Sequence, residues 1–455
     1  MSDAPLIVSV SGIRGIVGAS LTHETVRRFT DAFATWLPEH ARVVLARDTR
    51  PSGEEFADVV SSALRAAGCH VIDLGLCATP VAKLMVLETQ AQGALILTAS
   101  HNPAPWNGLK LIRDDGIFLN ARDGALVEEA YHQQQQRTSA TEGGSESIDA
   151  DRVRDIYFDR LLAAVDVDLI RGARLRAAID PCNGTGGLYA HQLLEALGVE
   201  AHLIHDEPNG DFAHAPEPTP ENLVDLGRAV TSAQCHIGFA IDPDADRVAL
   251  VGENGEPLGE DLTLALAVQS VTARRRGPVV TTLSTSQIVS DAAAVNGCPV
   301  LLTPVGEVNV VDAMLAEGAV IGGEGNGGVI LTEVDPGRDA ALGIALVLET
   351  MARSRQPLAR IVGRLPQYTI EKHKVSDVDD DDLQRAIRQL IEHYPGAERH
   401  PVEDGVKLYI EGGRKCPWIH LRPSNTEPVV RIIAESASAD QARQLCDLAA
   451  KGLQG

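Results

Sequence analysis

At 455 residues the chain can bury several cores, so three or four domains are expected. Its 44% hydrophobic and 23% charged residues are those of an ordinary globular protein, and no apolar run nears the roughly 20 residues that cross a bilayer. A net charge of −23 repels nucleic acid and anionic membrane over the surface as a whole, so an anionic substrate needs a locally basic pocket.

The opening "MSDAPLIVSV" lacks the basic flank and longer apolar core of a signal peptide. The seven cysteines (69, 77, 182, 235, 298, 416 and 446) are scattered, with no CxxC. That argues against a disulfide framework and a zinc site, and the expectation is a reducing cytoplasm. "ARVVLARD" (41–48), "HVIDLGL" (70–76) and "GALILTAS" (93–100) read as strands, and "GEEFADVVSSALRAAG" (53–68) as a helix closed by glycine. The third strand runs into Thr98, Ser100, His101 and Asn102 before Pro103 stops it. A serine and a histidine thus stand at a strand's C-terminal end, where open α/β sheets bind ligands. No GxSxG elbow surrounds Ser100, so a serine hydrolase fits poorly. Taken alone, the stretch also reads as a capping turn. The polar, Gly/Ser-rich stretch 132–151 reads as a loop at the first domain boundary.

The strand–helix beat returns in "LRAAIDPCNG", "LYAHQLLEALG", "EAHLIHD" and "HIGFAID", and again in "GPVVTTLS", "SQIVSDAAAVNG" and "GAVIGGEG". This is βαβ logic, and its repetition suggests related α/β domains in tandem with mainly parallel sheets. Within "FAIDPDADRVALV" (239–251), Asp242, Asp244 and Asp246 alternate and can converge on one hard cation. Glu253 falls at the twelfth position of an EF-hand, but Arg247 takes the place of the required glycine and the flanks are strand-like. A metal site fits better than a solvated acidic turn. In "IGGEGNGGVI" (321–330), Gly323, Gly325 and Gly328 spell G-x-G-x-x-G, the only support for a dinucleotide-dependent oxidoreductase. A helix should follow, whereas "VILTEV" reads as a strand. The loop is either a hairpin turn or a platform presenting Glu324 and Asn326 to a polyhydroxylated ligand. After "RLPQYTIEKHKV" the pattern shortens to a smaller α+β domain. There Arg422, Ser424, Asn425 and Thr426 in "HLRPSNTEPVVRI" suit a phosphate, or an ordinary polar turn.

Together these stretches resemble the α-D-phosphohexomutases, the phosphoglucomutase, phosphomannomutase and phosphoglucosamine mutase superfamily, from end to end. "SGIRGIVG" (11–18), "RDTRPSG" (47–53), "TASHNP" (98–103), "NGLK" (107–110), "DPDADR" (242–247), "GEGNGG" (323–328) and "RPSNTEP" (422–428) carry the likeness. It implies three related α/β domains and a smaller α+β domain around a central cleft, read here as 1–150, 151–256, 257–367 and 368–455. It also implies a phosphoryl group on Ser100, facing one Mg²⁺ held by Asp242, Asp244 and Asp246 and by the Ser100 phosphate. A hexose 6-phosphate and 1-phosphate would interconvert through a hexose 1,6-bisphosphate, the activator and intermediate, that turns end for end. Arg14 and Arg247 would stabilise the transferring group, and His101 would orient the loop. Lys110 would move the proton at the sugar hydroxyl, provided burial among other cations lowers its pKa. Glu324 and Asn326 would meet the sugar, and Arg422, Ser424, Asn425 and Thr426 its phosphate. Departures fall in the sugar region: Asn326-Gly327-Gly328 replaces the Ser-Gly-His of many members, and Glu307 stands where some place histidine. The implied substrate is a hexose or hexosamine phosphate, with a lean to phosphoglucosamine mutase. The alternatives are a phosphomannomutase or phosphoglucomutase, or an inactive sugar-phosphate-binding paralogue.

Overall fold

The protein is described from a computed structural model covering residues 5–9, 12–401, 404–423 and 429–454. Four sheets follow one another along the chain. In the first, strands are ordered Ile7–Ser9, Gly12–Ile16, Trp106–Arg113, Gly93–Leu97, Arg42–Arg47, His70–Leu76 and Ser145–Ser147. The pairs from Gly93–Leu97 through Ser145–Ser147 are parallel, and the other half is antiparallel. Parallel strands covered on both faces read as continuous apolar runs, as in Gly93–Leu97, where every residue is buried. Helix Gly53–Ala66 buries Phe56, Val60, Ala63 and Leu64 along one stripe; Glu54 and Glu55 in its first turn and Arg65 in its last suit its dipole.

The second sheet is ordered Val248–Gly252, Ile237–Ile241, Arg176–Asp180 and Glu200–Leu203. The third is ordered Val300–Thr303, Val279–Thr282, Ile321–Glu324, Gly328–Leu331 and Asp335–Arg338. Both are mixed, with parallel strands in each. The fourth is wholly antiparallel, ordered Thr369–Ser376, Val429–Ser436, Trp418–Pro423, Val406–Tyr409 and Glu398–Arg399. Helices Asp380–His393 and Ala439–Gln454 supply its apolar partner. One continuous core runs from Val44 and Val81 through Leu193 and Phe239 to Leu264 and Ile344, binding the first three units, while the fourth has a core of its own. Among the described residues no helix is long and apolar enough to cross a membrane.

Stretch 132–151 is not simply a loop. Ser145–Ser147 joins the first sheet as a parallel edge strand against His70–Leu76, and a helix begins at Ala150. Glycine here signals close approach: a Cβ on Gly143 would lie 1.7 Å from the Cys69 carbonyl oxygen.

Candidate active site

The strand Gly93–Leu97 delivers Thr98–Asn102 at its carboxyl end. Ser100 is buried, with φ +49°, a left-handed conformation rare outside glycine. Arg50 enforces the turn. Its guanidinium donates to the carbonyls of Ser100 (2.7 Å), Asn102 (2.6 Å), Pro103 (2.8 Å) and Trp106 (2.8 Å), and its Nε pairs with Asp48 at 3.1 Å. Asp48 in turn accepts from Thr98 Oγ1 at 2.6 Å. A planar fork with five donors suits this task as lysine would not. Gly108 of "NGLK" lets the neighbouring strands close in, since a Cβ there would meet the Ile13 carbonyl oxygen at 2.3 Å. His101 Nδ1 lies 3.3 Å from Ser100 Oγ. Burial, then Arg247 and Arg14, push its pKa to about 2, so the ring is neutral. Arg14 reaches across to Asn102 Oδ1 at 3.0 Å.

The second sheet brings its acidic turn to the same point. Ser100 Oγ donates to Asp242 Oδ2 at 3.0 Å. The other Asp242 oxygen takes the N–H groups of Asp246 (3.1 Å) and Arg247 (3.0 Å). One ligand atom each from Asp242, Asp244 and Asp246 lies within 4.8 Å of the others, and all three residues are buried. Burial and then the two sister carboxylates push the Asp242 carboxyl well up. Burial works against Asp246 too, yet Arg338, Lys110 and Arg247 hold it well below the usual range. Asp244 Oδ1 and Asp246 Oδ1 are buried without a hydrogen-bond partner. Buried carboxylate oxygens without a hydrogen bond, in a triad whose ligand atoms gather this closely, fit a hard cation.

Lys110 does not find the surroundings its expected role required. Its Nζ lies 2.5 Å from Asp244 Oδ2 and 3.0 Å from Asp246 Oδ2. Burial alone would lower its pKa, but the two carboxylates outweigh it and raise it, so the ammonium stays charged. Arg247 lies beside the site, its Nε 3.5 Å from Asp246 Oδ1.

The third sheet contributes Glu324, whose Oε2 receives Arg338 Nη1 at 2.7 Å and whose Oε1 receives the Gly306 N–H at 3.2 Å. Asn326 turns inward, its Oδ1 accepting from the Gly328 N–H at 3.2 Å. The glycine run is followed by the strand Gly328–Leu331, so it is no dinucleotide fingerprint. In the fourth unit, Arg422 Nε pairs with Asp404 Oδ1 at 3.1 Å, and Asp404 Oδ2 accepts the Val305 N–H at 2.8 Å. Ser424, Asn425 and Thr426 lie outside the described residues.

Profiles described as phosphoglucomutase/phosphomannomutase alpha/beta/alpha domains I, II and III match residues 6–138, 155–255 and 259–368, and the C-terminal domain profile matches 372–452. The chain belongs to the phosphoglucomutase/phosphomannomutase family. It is 34% identical to a phosphoglucomutase/phosphomannomutase of Thermococcus kodakarensis, over 97% of each chain. It is 29% identical to a phosphoglucosamine/phosphogalactosamine mutase of Sulfurisphaera tokodaii, over 99% of each. The crystal structure of a phosphoglucomutase/phosphomannomutase family protein from Burkholderia thailandensis superposes with a TM-score of 0.84 at 26% identity, covering 98% of this chain and 97% of that one.

The phosphohexomutase fold also shows what the sequence reading missed. Arg338 joins the second and third units of the site, meeting Asp246 (2.7 Å) and Glu324 (2.7 Å), with its Nε 2.9 Å from Glu307 Oε2. Glu307 in turn pairs with the buried Lys83 of the first domain. Arg338 ends the short strand "DPGR", which has no periodicity to announce it. Arg50 lies inside the quoted "RDTRPSG", but only the folded loop shows which carbonyls it holds.

Proposed function

We propose that this enzyme interconverts a hexose 6-phosphate and its 1-phosphate through phosphorylated Ser100 and a 1,6-bisphosphate, with glucosamine phosphate as its sugar. The observation that carries the reading is Ser100 Oγ, 3.0 Å from Asp242 at a buried triad with two orphaned oxygens. Phosphoserine gives its phosphoryl group to the free sugar hydroxyl: the phosphorus–oxygen bond to Ser100 breaks as the one to the sugar oxygen forms, and the hydroxyl proton ends on the departing Ser100 oxygen. The bisphosphate turns, its other phosphoryl group goes back to Ser100, and the leaving sugar oxygen takes a proton. Lys110, kept charged by its carboxylates, supplies that proton. Arg14, beside Asn102, and Arg247, beside Asp246, spread the charge of the transferring group. Bound by Asp242, Asp244, Asp246 and the Ser100 phosphate, Mg²⁺ would supply the divalent charge that neutralises phosphoryl oxygens. Arg422, with Ser424, Asn425 and Thr426, holds the phosphate that is not reacting, while Glu324 and Asn326 meet the sugar. The choice of amino sugar draws on the relative named for glucosamine and galactosamine phosphates.

A mutase assay comparing the 1-phosphates of glucosamine, mannose and glucose, with catalytic bisphosphate present, tests the reading. Glucosamine 1-phosphate should have the highest kcat/KM, and preference for another sugar refutes that assignment. Peptide mass spectrometry should find one phosphate on Ser100. Ser100→Ala should lose it with nearly all activity, and a fully active alanine variant would end the shuttle mechanism.

A further inference from the structure

A second cluster of donors stands one strand away from the aspartate triad. Strand Arg176–Asp180 runs parallel to Ile237–Ile241, with Asp180 opposite Ala240, two residues before Asp242. Asp180 is buried, and its Oδ1 accepts the Cys182 N–H at 2.9 Å. Its Oδ2 faces two imidazoles, His205 Nδ1 at 3.0 Å and His214 Nε2 at 3.1 Å. The three donor atoms lie within 4.8 Å of one another, and both rings are part-exposed, which leaves a route for an ion and its water.

The other face of His214 fixes its tautomer and leaves Nε2 for the carboxylate or for a cation. Its Nδ1 lies 2.9 Å from the Ala215 carbonyl oxygen, which can only accept, so Nδ1 carries the hydrogen. The Nε2 facing the carboxylate then carries either a second proton, as an imidazolium, or a divalent cation that displaces it. An imidazole whose far N–H is fixed by a backbone carbonyl is how proteins prepare a histidine ligand. The separations of 3.0 and 3.1 Å also suit coordination. They fall between the octahedral and tetrahedral edge lengths, about 2.9 and 3.4 Å, for metal–ligand bonds of about 2.05 Å. Imidazoles with one carboxylate select borderline divalent ions, whereas the all-oxygen triad suits Mg²⁺.

We propose that Asp180, His205 and His214 bind one divalent cation of the Zn²⁺ class, which pins the segment 205–214 behind the phosphoserine loop. That segment is a buttress. The Asn183 N–H donates to the His205 carbonyl at 2.7 Å, and the Asn183 carbonyl accepts from the Gly210 N–H at 3.1 Å and from Thr49 Oγ1 at 3.0 Å. The Phe212 ring lies 5.1 Å from the Arg50 guanidinium that holds the Ser100 carbonyl. The ligands are imidazoles rather than paired thiolates, so the cysteine spacing is silent about this site.

Untagged full-length protein, with Mg²⁺ in excess to occupy the triad, is titrated with Zn²⁺ by calorimetry and with Co²⁺ by visible absorption. One equivalent should bind beyond what the His205→Ala/His214→Ala double variant takes, and Asp244→Asn should retain it. Equal binding by wild type and the double variant, or loss only in Asp244→Asn, overturns the site and leaves a plain imidazolium–carboxylate pair. Should the double variant not fold, zinc-edge anomalous diffraction on the wild type decides: a peak in bonding distance of Asp180 supports the site, and none there overturns it. Amide exchange across 205–214 should slow when Zn²⁺ is added, and unchanged exchange refutes the pinning.

Discussion

Arg338 is buried while facing the carboxylates of Asp246, Glu324 and Glu307; if the guanidinium goes, Glu324 is left without a cation, while Asp246 keeps Lys110 and Glu307 keeps Lys83. Removing one partner of a buried ionic network costs more than the network itself contributes, because the charges left behind stay desolvated. Arg338→Met should therefore destabilise the protein by about 3–5 kcal/mol, read as a lower urea midpoint at unchanged m-value. A shift within experimental error would show that the carboxylates find other partners. Asp244 poses the complementary question, since its Oδ1 is an orphan and its Oδ2 holds Thr79 and Lys110. Asp244→Asn should lower kcat far more than it raises KM, because the divalent charge counts most in the transition state. Chelation of the wild type should abolish turnover and Mg²⁺ restore it; turnover indifferent to chelator removes the metal from the reaction.

The strand Val406–Tyr409 carries a buried lysine that no catalytic argument requires. Lys407 Nζ donates to the Leu283 carbonyl at 2.6 Å and sits 3.7 Å from the centre of the Trp418 ring. Burial brings its pKa down to about 7, and Glu435, Cys416 and Asp261 offset only part of this. Between about 7 and the roughly 10.4 of a free lysine, the unfolded chain binds a proton that the folded one does not. Stability contributed by this residue thus rises with pH through that window, by up to about 1.4 kcal/mol per pH unit, and is flat below it. Urea melts at several pH values should show this slope in the wild type relative to Lys407→Met. Parallel curves for the two proteins would mean that the amine stays charged in the fold.

Over the whole molecule, the division of cores matters more than any single contact. The first three units share one apolar interior, whereas the fourth meets the third through polar contacts such as Ser284 with His420 and Asp404 with Val305. Arg422 lies on that fourth unit. If it holds whichever phosphate is not reacting, Arg422→Ala should weaken the 1-phosphate and the 6-phosphate alike. Loss of a charge-assisted contact at a half-buried site is worth roughly 1.5–3 kcal/mol, about tenfold to a little over a hundredfold in affinity. If Ser100 carries a phosphate, it should survive the change, since serine and arginine belong to separate units. Titration with each isomer decides, and an effect on only one of them would send the turning intermediate to another anchor.

Features whose physics is local can be read from neighbouring residues alone. Apolar runs such as "GALIL" need no partner to read as strands, the stripe of Phe56, Val60 and Leu64 marks a helix, and alternating Asp242, Asp244 and Asp246 announce a carboxylate cluster that could hold a metal ion. Tertiary structure decided what depends on who stands opposite. Lys110 was expected among cations and meets Asp244 and Asp246, because the charge around a buried amine comes from strands far off in sequence. Ser145–Ser147 became an edge strand because Gly143 can lie against Cys69, a fit no composition rule contains. Arg338 and the Asp180, His205 and His214 cluster were invisible for the same reason. Their side chains meet only after the fold brings separate strand ends and turns together, and chain spacing carries no trace of that distance.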